Sequence, residues 1–301
     1  MSKKSIDGTE PAVEAEMRAV SFRQVVITHF LRFGRRVKMS TCLWVTLLVT
    51  TLETGGWAQT AGSKADLTPA FWQRDPEAGF EDEGLMHCAP TAVSDGLIYL
   101  AQHNGMTGLV AGFSHGNQIE LIKELADDFD TDPSVGGTNP DKILTGLQTF
   151  ASAKGYKLSK LELKTWRGVT AANKKFKIGT KPDIGWVRNA AREEDAIVIL
   201  NIGWYYKEGD GYTRKGGHWI EVVGDEAEES DFIVRNPLLE PARQMKATSV
   251  TLTSIDDDLV VTNESGKANM KGYYEADGPG LPHGKTVKPI LDAVIVFGLA
   301  K

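Results

Sequence analysis

A cysteine attacks a carbonyl as its thiolate, so a site of that kind needs something to hold negative charge and something to accept a proton. Three residues have the types and settings for that chemistry. Cys88 stands two residues before Pro90, ahead of a run in which Val93, Leu97, Leu100 and Ala101 fall three or four apart, the spacing of one helical face. Pro90 suits a first turn, where its missing N–H costs nothing. Cys88 is therefore expected at a helix N-terminus, where the partial positive charge favours a thiolate by typically ~0.3–1 kcal/mol. His218 comes after Gly216 and Gly217 and opens the run Trp219-Ile220-Glu221-Val222-Val223, where alternation puts it on the face of Ile220 and Val222. Asn236 precedes Pro237 and shares a face with Phe232 and Val234. If the two runs form a hairpin centred near Ala227, Asn236 lies directly opposite His218, close enough to fix the tautomer and direction of the ring.

Each residue also has a plain reading: a packed thiol, a hydrogen-bonded strand histidine, an asparagine ending a strand. Their order and settings together point to nucleophilic catalysis. Of the remaining histidines outside the first 58 residues, His87 adjoins Cys88 but is expected to point away, and His103, His115 and His283 lie in polar, turn-like surroundings.

The elements that must position the three residues are set by periodicity. Helices are expected at the Cys88 run, over residues 118–128, and over 140–154, where Asn139 caps and Gly155 stops the turn. Beyond Gly155 the period shifts towards two, giving strands near 158–163, 196–204, 217–224, 231–236, 250–252, 259–262 and 293–299, with a short helix at 183–194. Helices first and strands later indicate an α+β fold, helices packed on an antiparallel sheet. Asp128, Asp130 and Asp132 alternate as in a calcium loop, but Pro133 and Asn139 occupy the positions that motif reserves for Gly and Glu.

The chain has 301 residues, 41% hydrophobic and 25% charged, the composition of a globular protein. Arg35, Arg36 and Lys38 precede an apolar run over residues 42–52, and Gly56 and Ala58 then sit at signal-peptidase spacing. Residues 1–58 are read as an N-terminal extension and signal peptide cleaved after Ala58, 59–80 as a linker or N-terminal arm, and 81–301 as one domain. The apolar run is too short to span a bilayer, so the expectation is a secreted or periplasmic protein with no stable membrane insertion after cleavage. Cleavage leaves 26 basic against 35 acidic side chains, a net charge near −9 that disfavours nucleic acid as a partner. It also leaves Cys88 as the one cysteine, without a disulfide partner. No metal-ligand spacing and no glycine-rich nucleotide motif appears, so no cofactor is expected.

Three segments together, His87-Cys88-Ala89-Pro90-Thr91-Ala92, Gly216-Gly217-His218-Trp219-Ile220-Glu221-Val222-Val223-Gly224 and Phe232-Ile233-Val234-Arg235-Asn236-Pro237, resemble the papain-like cysteine peptidase superfamily. The nearest likeness is to the bacterial double-glycine-leader peptidases that process bacteriocins, and it extends over roughly residues 80–240. The resemblance implies a papain-like fold, with Cys88 as nucleophile, His218 as general base and Asn236 as the orienting group. It implies an exported thiol hydrolase, a peptidase or amidase acting on a peptide or protein. Two other outcomes stay open: a catalytically weak or inactive module that binds peptides or partner proteins, and transglutaminase-like acyl transfer. The chain departs from the family where a glutamine usually completes the oxyanion hole some six residues before the cysteine. Here that stretch reads Glu81-Asp82-Glu83-Gly84, and Gln73 lies further upstream. Losing one such donor typically costs about 100- to 1000-fold in turnover, and neighbouring carboxylates raise a thiol pKa.

Overall fold

The computed structural model describes residues 63–226, 230–246 and 248–301. The expected signal segment lies outside the described residues, as do residues 227–229 of the expected hairpin turn.

Chain order gives α1 (Lys64–Leu67), α2 (Cys88–His103), α3 (His115–Asp128), α4 (Pro140–Ala153), β1 (Lys157–Thr165), β2 (Lys177–Gly179), α5 (Ile184–Arg192), β3 (Ile197–Glu208) and β4 (Gly211–Asp225). Next come β5 (Asp231–Arg235), α6 (Pro241–Gln244), β6 (Thr248–Ser254), β7 (Val260–Asn263), β8 (Gly266–Asn269), β9 (Tyr274–Asp277) and β10 (Val287–Ala300). Local chemistry sets the helix starts. Ser114, Asn139 and Asp183 accept hydrogen bonds from the third backbone N–H of α3, α4 and α5, and Pro140 occupies the first turn of α4. α2 has no such side-chain cap, so its first N–H groups are left for whatever faces them.

The expected papain-like α+β arrangement, helices packed on an antiparallel sheet, is not what forms. The strands β3, β4, β5, β6, β9 and β10 pair in that order, each antiparallel to the next, and β10 returns to β3 to close a six-stranded barrel. β1 and β2 extend from one edge of β10, and β7 and β8 from β4. Closure has a physical cause in the two long strands. β4 gives its last residues to β5 and its first to β7; β10 gives its C-terminal half to β1 and Ile290 to β9. Register shifts at Trp204/Tyr205 and Leu291/Ala293 bend these strands, so the sheet curls on itself instead of lying flat under the helices.

Two cores result. Val198, Leu200, Ile202, Ile220, Val222, Phe232, Val234, Val250, Leu252, Ala276, Val294 and Val296 fill the barrel, joined by Val187, Ala190 and Ala191 of α5. On the outer face, Ile197, Ile199, Trp219, Ile295 and Phe297 meet α2, α3 and α4. β3 and β10 are thus covered on both faces, which explains their near-continuous apolar runs. Residues 63–80 dock on this body. Lys64 Nζ donates to the carbonyls of Ala191, Glu193 and Ala196, and Phe71, Ala78 and Phe80 pack with Ile119 and Ile122 of α3.

Candidate active site

Cys88 is the first residue of α2 and is 8% exposed. The backbone N–H groups of Trp219, Ala89 and Cys88 lie near enough to its sulfur to favour the thiolate. β5 pairs with β4 only from Glu221 onward, so at Trp219 the ladder is open on that side for a sulfur to use. Burial nonetheless dominates: it pushes the thiol up to about 11, the three N–H groups and the Arg214 charge opposing it.

His218 lies on β4 opposite Ile202 of β3 and is buried. Its Nε2 is 2.7 Å from Asn236 Oδ1. The neighbours of Asn236 settle the proton. Its Nδ2 donates to the Pro279 carbonyl at 2.8 Å, and its Oδ1 also accepts from the Leu238 N–H at 3.0 Å. Oδ1 is therefore the acceptor from His218, Nε2 carries the hydrogen, and the lone pair of the neutral ring sits on Nδ1. Among the described residues Nδ1 has no hydrogen-bond partner. Burial pulls the imidazole down to about 4, the Asn236 bond opposing. The Trp204 ring stands 6.5 Å from it, tilted by 32°.

The structure thus joins His218 to Asn236 and sets Cys88 against the backbone of the next residue, Trp219, but it makes no Cys88–His218 hydrogen bond. The partnership with Asn236 does not arise from the register expected. Glu221 faces Arg235 and Val222 faces Val234, so one further step puts Asn236 across from Ile220. The slip is two residues, which preserves the face, and the diagonal neighbour remains within reach of a ring. Gln73, the upstream glutamine, holds the loop before Cys88: its Nε2 donates to the Gly84 and Leu85 carbonyls, both at 2.9 Å. That amide is committed and offers no donor to an oxyanion. His87 is stacked on Phe80, ring centroids 4.5 Å apart.

Cys88 lines a cleft of about 350 Å³, together with Gly217 and Trp219 of β4, Asn201 of β3, Thr138 and Asn139 before α4, and the charged side chains of Lys142, Arg167, Arg214 and Glu264. The Trp219 indole donates to the Thr138 carbonyl at 2.9 Å and ties the two walls together. Beneath the cleft the fully buried Asp292 carboxylate accepts from Tyr205 Oη at 2.5 Å, Trp166 Nε1 at 3.1 Å and Arg214 Nε at 2.7 Å. Sequence reasoning misses these polar residues, although the chain marks them: Asn201 and Asp292 each interrupt an apolar strand, and Arg214 lies just ahead of Gly216-Gly217-His218. Among the described residues no group of three or more His, Cys, Asp or Glu side chains is placed to hold a metal ion.

No protein-family model matches the sequence, and no curated protein matches it.

Proposed function

We propose that this protein is an exported thiol-dependent hydrolase of peptide or amide bonds. Cys88 attacks the carbonyl as His218 Nδ1 takes the thiol proton; the proton passes to the leaving amine as the C–N bond breaks; water then hydrolyses the acyl-thioester. The observation that carries the reading is the 2.7 Å bond from His218 Nε2 to Asn236 Oδ1. It leaves the ring neutral with its lone pair on Nδ1, the form a general base requires. A thiol near 11 and an imidazole near 4 rest as two neutral groups, not as an ion pair. Proton transfer is therefore coupled to attack, and approach of the sulfur to Nδ1 belongs to the substrate complex, since catalytic hydrogen bonds are often long before substrate binds. The Cys88 N–H at the uncapped start of α2 serves the oxyanion. The basic, apolar and small-residue succession within residues 1–58 supports export.

The test is acylation of Cys88 by p-nitrophenyl acetate at neutral pH, with intact-mass and peptide analysis to locate the acetyl group. Wild-type protein acquires it on Cys88 about 100-fold faster than His218→Gln, the lower end of what a positioned base supplies. Equal rates reject the proposal. A second reading, a module that binds peptides without cleaving them, draws on the committed Gln73 amide and the deeply buried thiol. It requires Cys88→Ala to retain every measurable role of the parent, whereas hydrolysis requires that role to disappear. Added amine appearing in the product would identify acyl transfer instead.

A further inference from the structure

The cleft beside Cys88 carries three cations, Arg214, Arg167 and Lys142, each paired with a carboxylate, Asp292, Glu264 and Asp130. The pairing leaves part of each guanidinium unused, and the way the two arginines are held decides what that part can meet. Arg214 Nε donates to Asp292 Oδ2 at 2.7 Å and Nη2 to Asn201 Oδ1 at 3.2 Å. Two of its three nitrogens are thus fixed by groups of the barrel wall. Its Nη1 has no hydrogen-bond partner among the described residues, nor is it sealed in the interior. Arg167 repeats the pattern at the cleft's other side, its Nε and Nη2 on Glu264 Oε1 and its Nη1 without a partner among the described residues. Gly217 makes room for the first guanidinium, since a Cβ there would fall 2.3 Å from Arg214 Nη2. Both forks are oriented before any ligand arrives, and a preformed guanidinium is the group best matched to a carboxylate.

We infer that this cleft binds a carboxylate of the substrate, so that the compounds presented to Cys88 are acidic peptides. The carboxylate is either an acidic side chain or a free C-terminus beside the bond to be cut. The inference rests on the hydrolase reading only for the bond cleavage after binding, and its test does not use the thiol.

Full-length Cys88→Ser protein is titrated calorimetrically with three probes: acetyl-Ala-Glu-Ala amide, acetyl-Ala-Gln-Ala amide, and acetyl-Ala-Gln-Ala with a free C-terminus. At least one carboxylate probe binds about tenfold or more tightly than the neutral peptide, as a charge-assisted hydrogen bond predicts, and the preferred one tells side chain from terminus. Replacing Arg214 would strand Asp292 in the core, so the preference is tested in Arg167→Gln and in Gly217→Ala, which displaces the Arg214 fork, after circular dichroism confirms their fold. The advantage shrinks several-fold in each. Equal affinity for all three probes, no binding of any, or an advantage untouched in both variants overturns the inference. Loss of Cys88 acylation with the carboxylate preference intact would instead reject hydrolysis and leave this site standing.

Discussion

At the residue scale the proposed site is two neutral groups and a positioning amide. Asn236 fixes His218 only because its own amide is fixed by the Pro279 carbonyl and the Leu238 N–H. Asn236→Ala removes the acceptor and leaves a buried Nε2–H unpaired. Acylation of Cys88 is then expected to fall about five- to tenfold, the worth of one such hydrogen bond, while the His218 ring signals in an NMR spectrum shift from one tautomer to a mixture. An unchanged rate would show that Asn236 has no part in orienting the base. This pairing was legible in the sequence because alternation assigns His218 and Asn236 to one face whatever the even-numbered register. The register itself was not legible, because the shift between Val222 and Gly224 leaves no mark on the alternation. Asn201 and Asp292 were legible as interruptions of apolar runs, but their purpose depends on neighbours brought together by closure of the barrel.

At the element scale α2 rests against the sheet through Gly96, where a Cβ would meet Ile197 Cγ2 at 2.5 Å. That close approach traps two carboxylates between α2 and β4. Asp95 and Glu221 are fully buried, and both are pushed well above the usual carboxylate range by burial first. For Glu221 the Asp95 charge adds to the shift, opposed by Lys64 and Arg235. Asp95 Oδ1 accepts from Gln118 at 2.6 Å, whereas among the described residues neither Glu221 oxygen has a hydrogen-bond partner. A carboxyl whose folded pKa is raised binds its proton more tightly when folded, so its contribution is full below the unfolded value near 4.5 and is lost as pH rises through the folded value. Glu221→Gln escapes that loss. Its urea midpoint should exceed the parent's at pH 7 by about 1–3 kcal/mol in stability, with the gain vanishing below the unfolded pKa. A variant less stable than the parent at pH 7 would mean that Lys64 and Arg235 hold Glu221 ionised and paired. The helices were the most legible elements: Asn139 and Asp183 cap α4 and α5 at the residues where polar chemistry precedes an apolar period.

At the scale of the whole molecule, closure of the barrel hangs on β9. Its four residues Tyr274-Glu275-Ala276-Asp277 pair with β6 along their length and with β10 at the single pair Glu275 and Ile290. So short and polar a segment gives no strand period, which is why the sequence suggests an open sheet under helices and not a barrel. Ala276 is its fully buried contribution to the barrel core, and Tyr274 packs partly buried against the same core. Ala276→Glu forces a carboxylate among apolar side chains and should cost several kcal/mol, read as a collapse of the urea midpoint. Asp277→Asn on the exposed face should stay within about 0.5 kcal/mol. Equal effects would show that β9 does not close the structure. The barrel matters to the proposed function because it sets β4 across the start of α2, bringing the backbone beside His218 to the Cys88 sulfur. The measurement that bears most directly on that arrangement is the pH dependence of Cys88 acylation in the parent and in His218→Gln. A neutral-base mechanism predicts that the parent's rate stays level from about pH 5 to 8 and drops only as His218 protonates near pH 4, while the variant's rate climbs with pH towards the thiol value of about 11. Parallel profiles for the two proteins would contradict it, because the imidazole would then have no hand in the chemistry of the sulfur.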